Sequence, residues 1–177
     1  MEFVITGIFT SSSIIFGQGE PNQTTLSSAG SYDMYVAKYS SEGNLIWAKS
    51  AGGTSQDWGR YIVMHSDGSS TVQGFFIGSM TFGQGESNTT TLVSAGSYDI
   101  YIAKYNANGT LAWARRAGGA GQDAGRGLDI HTDGTIFFTG YFQGTANFGQ
   151  GGNIRELTSR GSTDYFIARY NSNGTLD

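Results

Sequence analysis

Few residues in this chain have side chains that commonly catalyse reactions or bind metals, and those few recur at a fixed spacing. His65 and His131 are the only two histidines among 177 residues, and each precedes a Ser/Thr-Asp-Gly sequence. A metal site or a Ser-His-Asp triad needs further ligands or partners close to the same histidine. Because the two histidines occupy equivalent places in a repeat, we expect them on separate units, each with a structural role in a turn.

Other motifs that could support chemistry are missing or incomplete. Cysteine is absent, which excludes disulfides, thiolate nucleophiles and Cys-ligated zinc. The Asp-Gly and Asn-Gly sequences lack the spaced acidic ligands of a calcium loop. The FGQG sequences are not followed by the Lys-Ser/Thr pair and helix of a phosphate-binding loop. We therefore expect no metal, no cofactor and no catalytic residues, and we predict that the chain is not an enzyme.

Acidic and basic residues recur together at one junction of the repeat. Asp57 and Arg60 recur in the next repeat as Asp123 and Arg126, with the same spacing between them. They could form a ring of charged groups around a central opening, or Asp–Arg ties between neighbouring units. We favour the ties, because a feature of every unit is more often architectural. The same reasoning covers the repeated charged positions Asp33, Asp99, Asp164, Lys38, Lys104 and Arg169.

Two tryptophans also recur, Trp47 and Trp113, each within an LxWA sequence. An exposed tryptophan can stack on a sugar ring, whereas a repeated tryptophan on an outer strand more often packs between units. We favour packing. The phenylalanine of each FGQG sequence is expected to be buried in the same way, with the following glutamine exposed.

These residues are positioned by an internal repeat. FGQG begins at Phe16, Phe82 and Phe148, a spacing of 66 residues in both cases. The sequences SYDMYVAKY, SYDIYIAKY and STDYFIARY follow at nearly the same step. Such self-similarity is typical of repeat architectures. We divide the chain into repeat units of approximately 1–53, 54–119 and 120–177.

Each complete repeat predicts four β-strands, named a to d in chain order, with a long connection between b and c. Asp-Gly and Asn-Gly turns separate the apolar runs, and no segment has helical periodicity. Strands that are apolar on both faces favour radially stacked sheets, so we predict an all-β fold of β-propeller blades, with a β-sandwich or β-helix as the alternative. The predicted strands lie near 3–9, 33–39, 45–49, 60–66, 71–77, 99–105, 110–116, 126–131, 135–142 and 164–170.

Charge and hydropathy exclude some partners. The net charge is −4, and the largest basic cluster is the pair Arg115–Arg116, which argues against nucleic acid or an anionic membrane surface. No apolar run is long enough for a membrane-spanning helix. The first residues, MEFVITGIFT, do not form a signal peptide.

The sequences GRYIVMHSDG and DIYIAKYNANGTLAWA resemble the repeats of a bacterial β-propeller family abbreviated SBBP, and more distantly NHL-type blades. The resemblance implies that strand a is innermost and strand d outermost. It also implies a bacterial protein that is secreted or at the cell surface. By analogy with known propellers, the d–a and b–c loops share one face, which usually carries the binding site.

A specific site on a repeat scaffold should lie where the units differ, as at Trp58 against Ala124 and Tyr61 against Gly127. These differences between units, together with the face that the d–a and b–c loops are expected to share, predict a set of ligand-binding residues: Gln56, Asp57, Trp58, Tyr61, Gln122 and Asp123. We predict a non-catalytic binding or scaffold module with a protein or glycan ligand. A lectin-like, carbohydrate-binding propeller is the alternative, and a hydrolase or lyase with catalytic residues outside this chain is a third reading.

The repeat count predicts about three blades that are incomplete at both ends. The first unit lacks strand a and the last lacks strand d, so apolar faces and strand edges would be left unpaired. We expect self-association into a homodimer of about six blades, or pairing with further blades of a longer parent chain.

Overall fold

The computed structural model describes residues 1–177, which form sixteen β-strands and no helix. The structure therefore contains no helix that could cross a membrane. Five strands form the first repeat: β1 (Phe3–Phe9), β2 (Ser13–Phe16), β3 (Thr24–Ser27), β4 (Asp33–Tyr39) and β5 (Leu45–Ala51). Six form the second: β6 (Asp57–Met64), β7 (Ser70–Phe76), β8 (Ser79–Phe82), β9 (Thr90–Val93), β10 (Asp99–Tyr105) and β11 (Leu111–Gly119). The third has β12 (Ala124–Ile130), β13 (Ile136–Phe142), β14 (Thr145–Phe148), β15 (Arg155–Thr158) and β16 (Asp164–Tyr170).

The second repeat contains the predicted four-stranded blade, with strands a to d in the order β6-β7-β10-β11. All neighbouring strands in this blade are antiparallel, as hairpin connections require. The first repeat forms the three-stranded sheet β1-β4-β5, and the third forms β12-β13-β16. We call these three sheets blade 1, blade 2 and blade 3. The fold class is all-β, and each sheet has the strand order of a β-propeller blade.

All ten predicted strands are present, and the long b–c connection, in which no strand was predicted, contains two further short strands in each repeat. In each repeat this connection forms a hairpin, here called the insert hairpin: β2–β3, β8–β9 or β14–β15. The insert hairpin of blade 3 extends the sheet of blade 2, where β14 pairs with β11. The bridge between Gly52 and Thr81 is the equivalent contact between blade 1 and the next insert hairpin. The insert hairpins thus join consecutive blades through backbone hydrogen bonds.

Glycine at the end of strand d allows this close approach. A Cβ atom on Gly53 would lie 1.8 Å from the carbonyl oxygen of Ser79, and one on Gly119 would lie 1.8 Å from that of Thr145. Real Cβ atoms do not approach this closely. The second glycine of the repeated Gly-Gly sequence at the end of strand d is therefore needed for the blades to join.

The apolar core lies between the blades. Met34 and Val36 on β4 are fully buried against blade 2, in a cluster that includes Phe82 and Tyr101. Ile100 and Ile102, the equivalent residues of blade 2, are buried against blade 3. Both interfaces use the same positions of strand c, so each blade buries one face against the blade that follows it.

A repeated tryptophan on strand d donates a hydrogen bond from its indole N–H group to the next blade. Trp47 donates its indole N–H to the carbonyl of Ala107 at 3.0 Å, and Trp113 donates to the carbonyl of Ser172 at 3.1 Å. Both tryptophans are only 8% exposed. The structure confirms that they pack between blades, and this excludes them as sugar-stacking platforms.

Candidate functional site

A cleft of about 170 Å³ lies between blades 2 and 3, beside the starts of their strands a, β6 and β12. Larger depressions lie elsewhere, including one of about 300 Å³ where Lys49 is already paired with Glu86. The cleft is distinguished by its composition, since aromatic rings and two guanidinium groups line it. Its lining residues are Trp58, Arg60, Phe75, Tyr98, Gln122, Ala124, Arg126 and Tyr141.

The two arginines occupy β-bulges. In blade 2, Gly59 pairs with Gly74 and Tyr61 pairs with Gln73, which leaves Arg60 as the extra residue. Arg126 is the extra residue at the same point of blade 3. A bulge changes the direction of the side chain that it carries. The local irregularity of strand a thus brings both guanidinium groups to the cleft.

Aromatic rings hold these guanidinium groups in place. The Cζ atom of Arg60 lies 4.9 Å from the ring centre of Trp58 and 5.2 Å from that of Phe75. The Cζ atom of Arg126 lies 5.1 Å from the ring centre of Tyr141. These are cation–π distances. Stacking uses the flat face of a guanidinium and leaves its N–H edge available to a ligand.

The expected Asp–Arg tie between blades was wrong. Neither Arg60 nor Arg126 takes part in any of the five ion pairs of the chain. The carboxylate of Asp57 instead accepts the backbone N–H of Gly53 at 2.8 Å, and that of Asp123 accepts the N–H of Gly119 at 2.7 Å.

All five repeated aspartates have this architectural role, because each accepts the backbone N–H of the residue four positions earlier. The residues are Asp33, Asp57, Asp99, Asp123 and Asp164. Burial is the main cause that raises the pKa of Asp57 to about 7 and that of Asp99 to about 6. Asp99 also pairs with Arg116 at 2.7 Å, which opposes this increase.

The structure divides the predicted ligand-binding residues into three groups. Trp58 and Gln122 line the cleft. Gln56 lies beside it and accepts a hydrogen bond from the Tyr98 hydroxyl at 3.3 Å, while Tyr61 is half-buried one residue beyond Arg60. Asp57 and Asp123 are completely buried and hold loop backbone, so their carboxylates lie beneath the surface.

Sequence reasoning missed the other lining residues, including Arg60 and Arg126. The arginines were assigned to an ion pair because they recur, and the bulges that redirect them leave no distinct signal in the sequence. Phe75 and Tyr141 belong to strands b, and Tyr98 immediately precedes strand c, positions that the sequence analysis did not consider for binding. In the sequence only Arg60 has aromatic neighbours, Trp58 and Tyr61, whereas Arg126 lies between two glycines, so no local pattern marks both arginines.

The two histidines lie away from this cleft. The Nε2 atom of His65 is 2.8 Å from Oγ1 of Thr71, which is completely buried. Burial lowers the pKa of His65. His131 is exposed and lies 3.0 Å from Asp133 in the turn that follows it. Both arrangements agree with the structural role expected for these residues.

Comparisons with known proteins support the fold. Residues 88–111 and 131–177 match the model of a β-propeller family described as a domain of unknown function, DUF5122. Over 117 residues the chain is 31% identical to the "Regulatory protein FlaEY" of Caulobacter vibrioides, covering 63% of this chain and 12% of that protein. It is 25% identical to the "Uncharacterized WD repeat-containing protein L264" of Acanthamoeba polyphaga mimivirus, covering 94% of this chain and 13% of that protein. The chain therefore spans about an eighth of these relatives. The three sheets are β-propeller blades.

Proposed function

We propose that the chain is a non-catalytic binding or scaffold module whose blades associate with further blades of the same kind. The observation that carries this proposal is the exposure of Tyr165 and Ile167 on β16, which are 82% and 79% exposed. They are equivalent to Ile100 and Ile102, which are 0% and 1% exposed because blade 3 covers them. The outer face of blade 3 is thus the same surface that both internal interfaces bury.

The matching half of such an interface is present on blade 1. Phe16, Leu26 and Leu45 form a cluster there with half-buried Tyr35 and Tyr39. The equivalent residues of blade 2, among them the fully buried Tyr101 and Tyr105, receive the face of blade 1. Blade 3 of one copy can therefore pack on blade 1 of another by repeating an existing contact. Such head-to-tail association forms a ring when the rotation closes, most simply a homodimer of about six blades.

Several features support a binding rather than a catalytic role. His65 is buried and hydrogen-bonded to Thr71, and the five repeated aspartates accept hydrogen bonds from backbone N–H groups. The cleft between blades 2 and 3 offers two free guanidinium groups but has no nucleophile and general base beside them. We infer a binding site there, and we infer that the module belongs to a secreted or cell-surface protein of the bacterial SBBP type.

Light scattering during size-exclusion chromatography tests the association. We expect the 18.8 kDa chain to show a concentration-dependent mass that approaches twice the monomer value at micromolar concentration. The double variant Tyr165→Ser/Ile167→Ser should remain monomeric. Val93→Ser is the matched control, because Val93 is 60% exposed on β9 and lies outside both faces. A monomeric mass for the unaltered chain at about 100 µM would refute association through this surface.

A further inference from the structure

The cleft between blades 2 and 3 has the chemistry to recognise a specific class of ligand. We propose that it binds a sugar acid, with the carboxylate held between Arg60 and Arg126 and the ring hydroxyls facing the polar edges of the cleft. This proposal rests on the binding role proposed above and deepens it. It does not depend on association, because both blades that form the cleft belong to one chain.

The charge of the ligand follows from the two guanidinium groups. Both arginines are exposed, lack a carboxylate partner and are held by aromatic rings on neighbouring blades. Guanidinium groups held in this way match the planar, bidentate geometry of a carboxylate. The chain as a whole carries a net charge of −4, so general electrostatic attraction does not draw anions to it. An anion that binds must be recognised locally.

The size and the remaining lining residues indicate a single polar ring. A volume of about 170 Å³ is below the roughly 300–1,000 Å³ of ordinary small-molecule pockets, so the ligand is one ring and not an extended molecule. Gln122 is exposed at the edge of the cleft and provides both a donor and an acceptor for hydroxyl groups. The hydroxyl of Tyr98 is only weakly engaged, at 3.3 Å from Gln56.

The aromatic walls support this assignment. Trp58 lies 5.5 Å from Tyr32 and 5.7 Å from Phe75, measured between ring centres, and Phe75 is 5.1 Å from Tyr98. The four aromatic rings that line the cleft, those of Trp58, Phe75, Tyr98 and Tyr141, are each half-buried, so part of every ring remains accessible. A sugar presents apolar C–H groups beside its hydroxyls, which suit a wall of partly exposed aromatic rings.

Calorimetric titration with glucuronate, glucose and acetate tests the proposal. We expect glucuronate to bind, and glucose and acetate each to bind at least about tenfold more weakly, because each lacks one half of the recognised chemistry. Arg60→Gln and Arg126→Gln should each weaken glucuronate binding by about tenfold or more. Arg60→Lys should restore only part of the loss, because lysine keeps the charge without the planar fork.

Arg160→Gln is the matched control, because it removes the same charge from an exposed loop outside the cleft. Circular dichroism checks that each variant is folded. Acetate binding as tight as that of glucuronate would reduce the site to a simple anion site and overturn the proposal. Glucose binding of equal strength, or no heat with glucuronate at about 10 mM, would overturn it as well. The association variant Tyr165→Ser/Ile167→Ser should bind glucuronate normally, so the two proposals can fail separately.

Discussion

Replacing Asp57 with asparagine should stabilise the protein above neutral pH and have little effect in mild acid. The carboxyl of Asp57 is completely buried, and its Oδ1 atom has no hydrogen-bond partner. Burial is the first cause that raises its pKa to about 7, the hydrogen bond from Gly53 opposes the increase, and the charge of Asp33 adds to it. The pKa of Asp33 is raised by burial too, and its Oδ1 atom is also unpartnered.

The sign follows from proton linkage. An unfolded aspartate has a pKa of about 3.9, so between roughly pH 4 and 7 the native state holds a proton that the unfolded state has released. Stability from this group is present in full below pH 4 and is lost as pH rises to 7. Each pH unit in this window changes the free energy of unfolding by at most about 1.4 kcal/mol per linked proton. We expect a loss of about 2 kcal/mol between pH 5 and pH 8.

Asparagine removes this dependence and keeps the useful contact. Its carbonyl oxygen can accept the N–H of Gly53 as Asp57 does, and its amide carries no charge that burial or the neighbouring Asp33 carboxyl would destabilise. We expect Asp57→Asn to exceed the unaltered protein by about 1–2 kcal/mol at pH 8, with nearly equal stability at pH 5. Urea unfolding followed by tryptophan fluorescence at pH 5, 6, 7 and 8 measures the difference, in which contributions from other groups such as His65 cancel.

Asp123→Asn is the matched control. Both oxygens of Asp123 accept backbone N–H groups, from Gly119 at 2.7 Å and from Gln143 at 3.1 Å. An asparagine amide would face one of these donors, so this variant should lose stability at every pH. If Asp57→Asn is destabilised at pH 8 as much as at pH 5, the buried carboxylate is compensated in some other way and the reasoning fails.

Three further predictions concern packing between and within blades, each measured by chemical denaturation. Phe82→Ala should reduce the free energy of unfolding by about 3–5 kcal/mol because Phe82 is fully buried. Gln84→Ala should reduce it by under about 0.5 kcal/mol, because Gln84 is exposed two residues further along. Gly119→Ala should cost more than about 2 kcal/mol by displacing an insert hairpin, whereas Gly152→Ala, with open space around it, should be nearly neutral. Trp113→Phe should cost about 1–2 kcal/mol by leaving a turn carbonyl of blade 3 without its indole donor.

Much of the fold could be predicted because the signals that define it are local. Asp-Gly and Asn-Gly turns mark the hairpins, and the apolar strands between them have both faces buried, so the ten longer strands were predicted close to their true ends. The insert hairpins were missed because their strands have only four residues each, which is too few for an alternating pattern to be recognised in the sequence. Their stability comes from contacts with the preceding blade, which no local window of sequence reveals.

The candidate site was less predictable because repetition was taken as a sign of architecture. That criterion succeeds for Trp47 and Trp113, whose contacts with the following blade explain why they recur. It fails for Arg60 and Arg126, which recur but form no ion pair. A repeated residue is architectural only when its contacts account for it, and those contacts become visible only in the structure.

The same comparison between repeats yields a final prediction at Ser50. This residue is equivalent to Arg116, which pairs with Asp99 in blade 2, so Asp33 in blade 1 lacks the corresponding cation. Ser50 lines a depression of about 300 Å³, which leaves room for a larger side chain.

Ser50→Arg should therefore pair with Asp33 and lower its pKa, and the resulting stability should be present at pH 8 and lost in acid, as pH falls through the lowered pKa of Asp33. We expect a gain of about 1 kcal/mol at pH 8 by urea unfolding. Ser50→Met fills the same space without a charge and should show no pH-dependent gain. An equal effect of arginine at pH 8 and in acid would mean that its guanidinium does not reach the carboxyl of Asp33, and that the ion pair of blade 2 depends on more than the residue at this position.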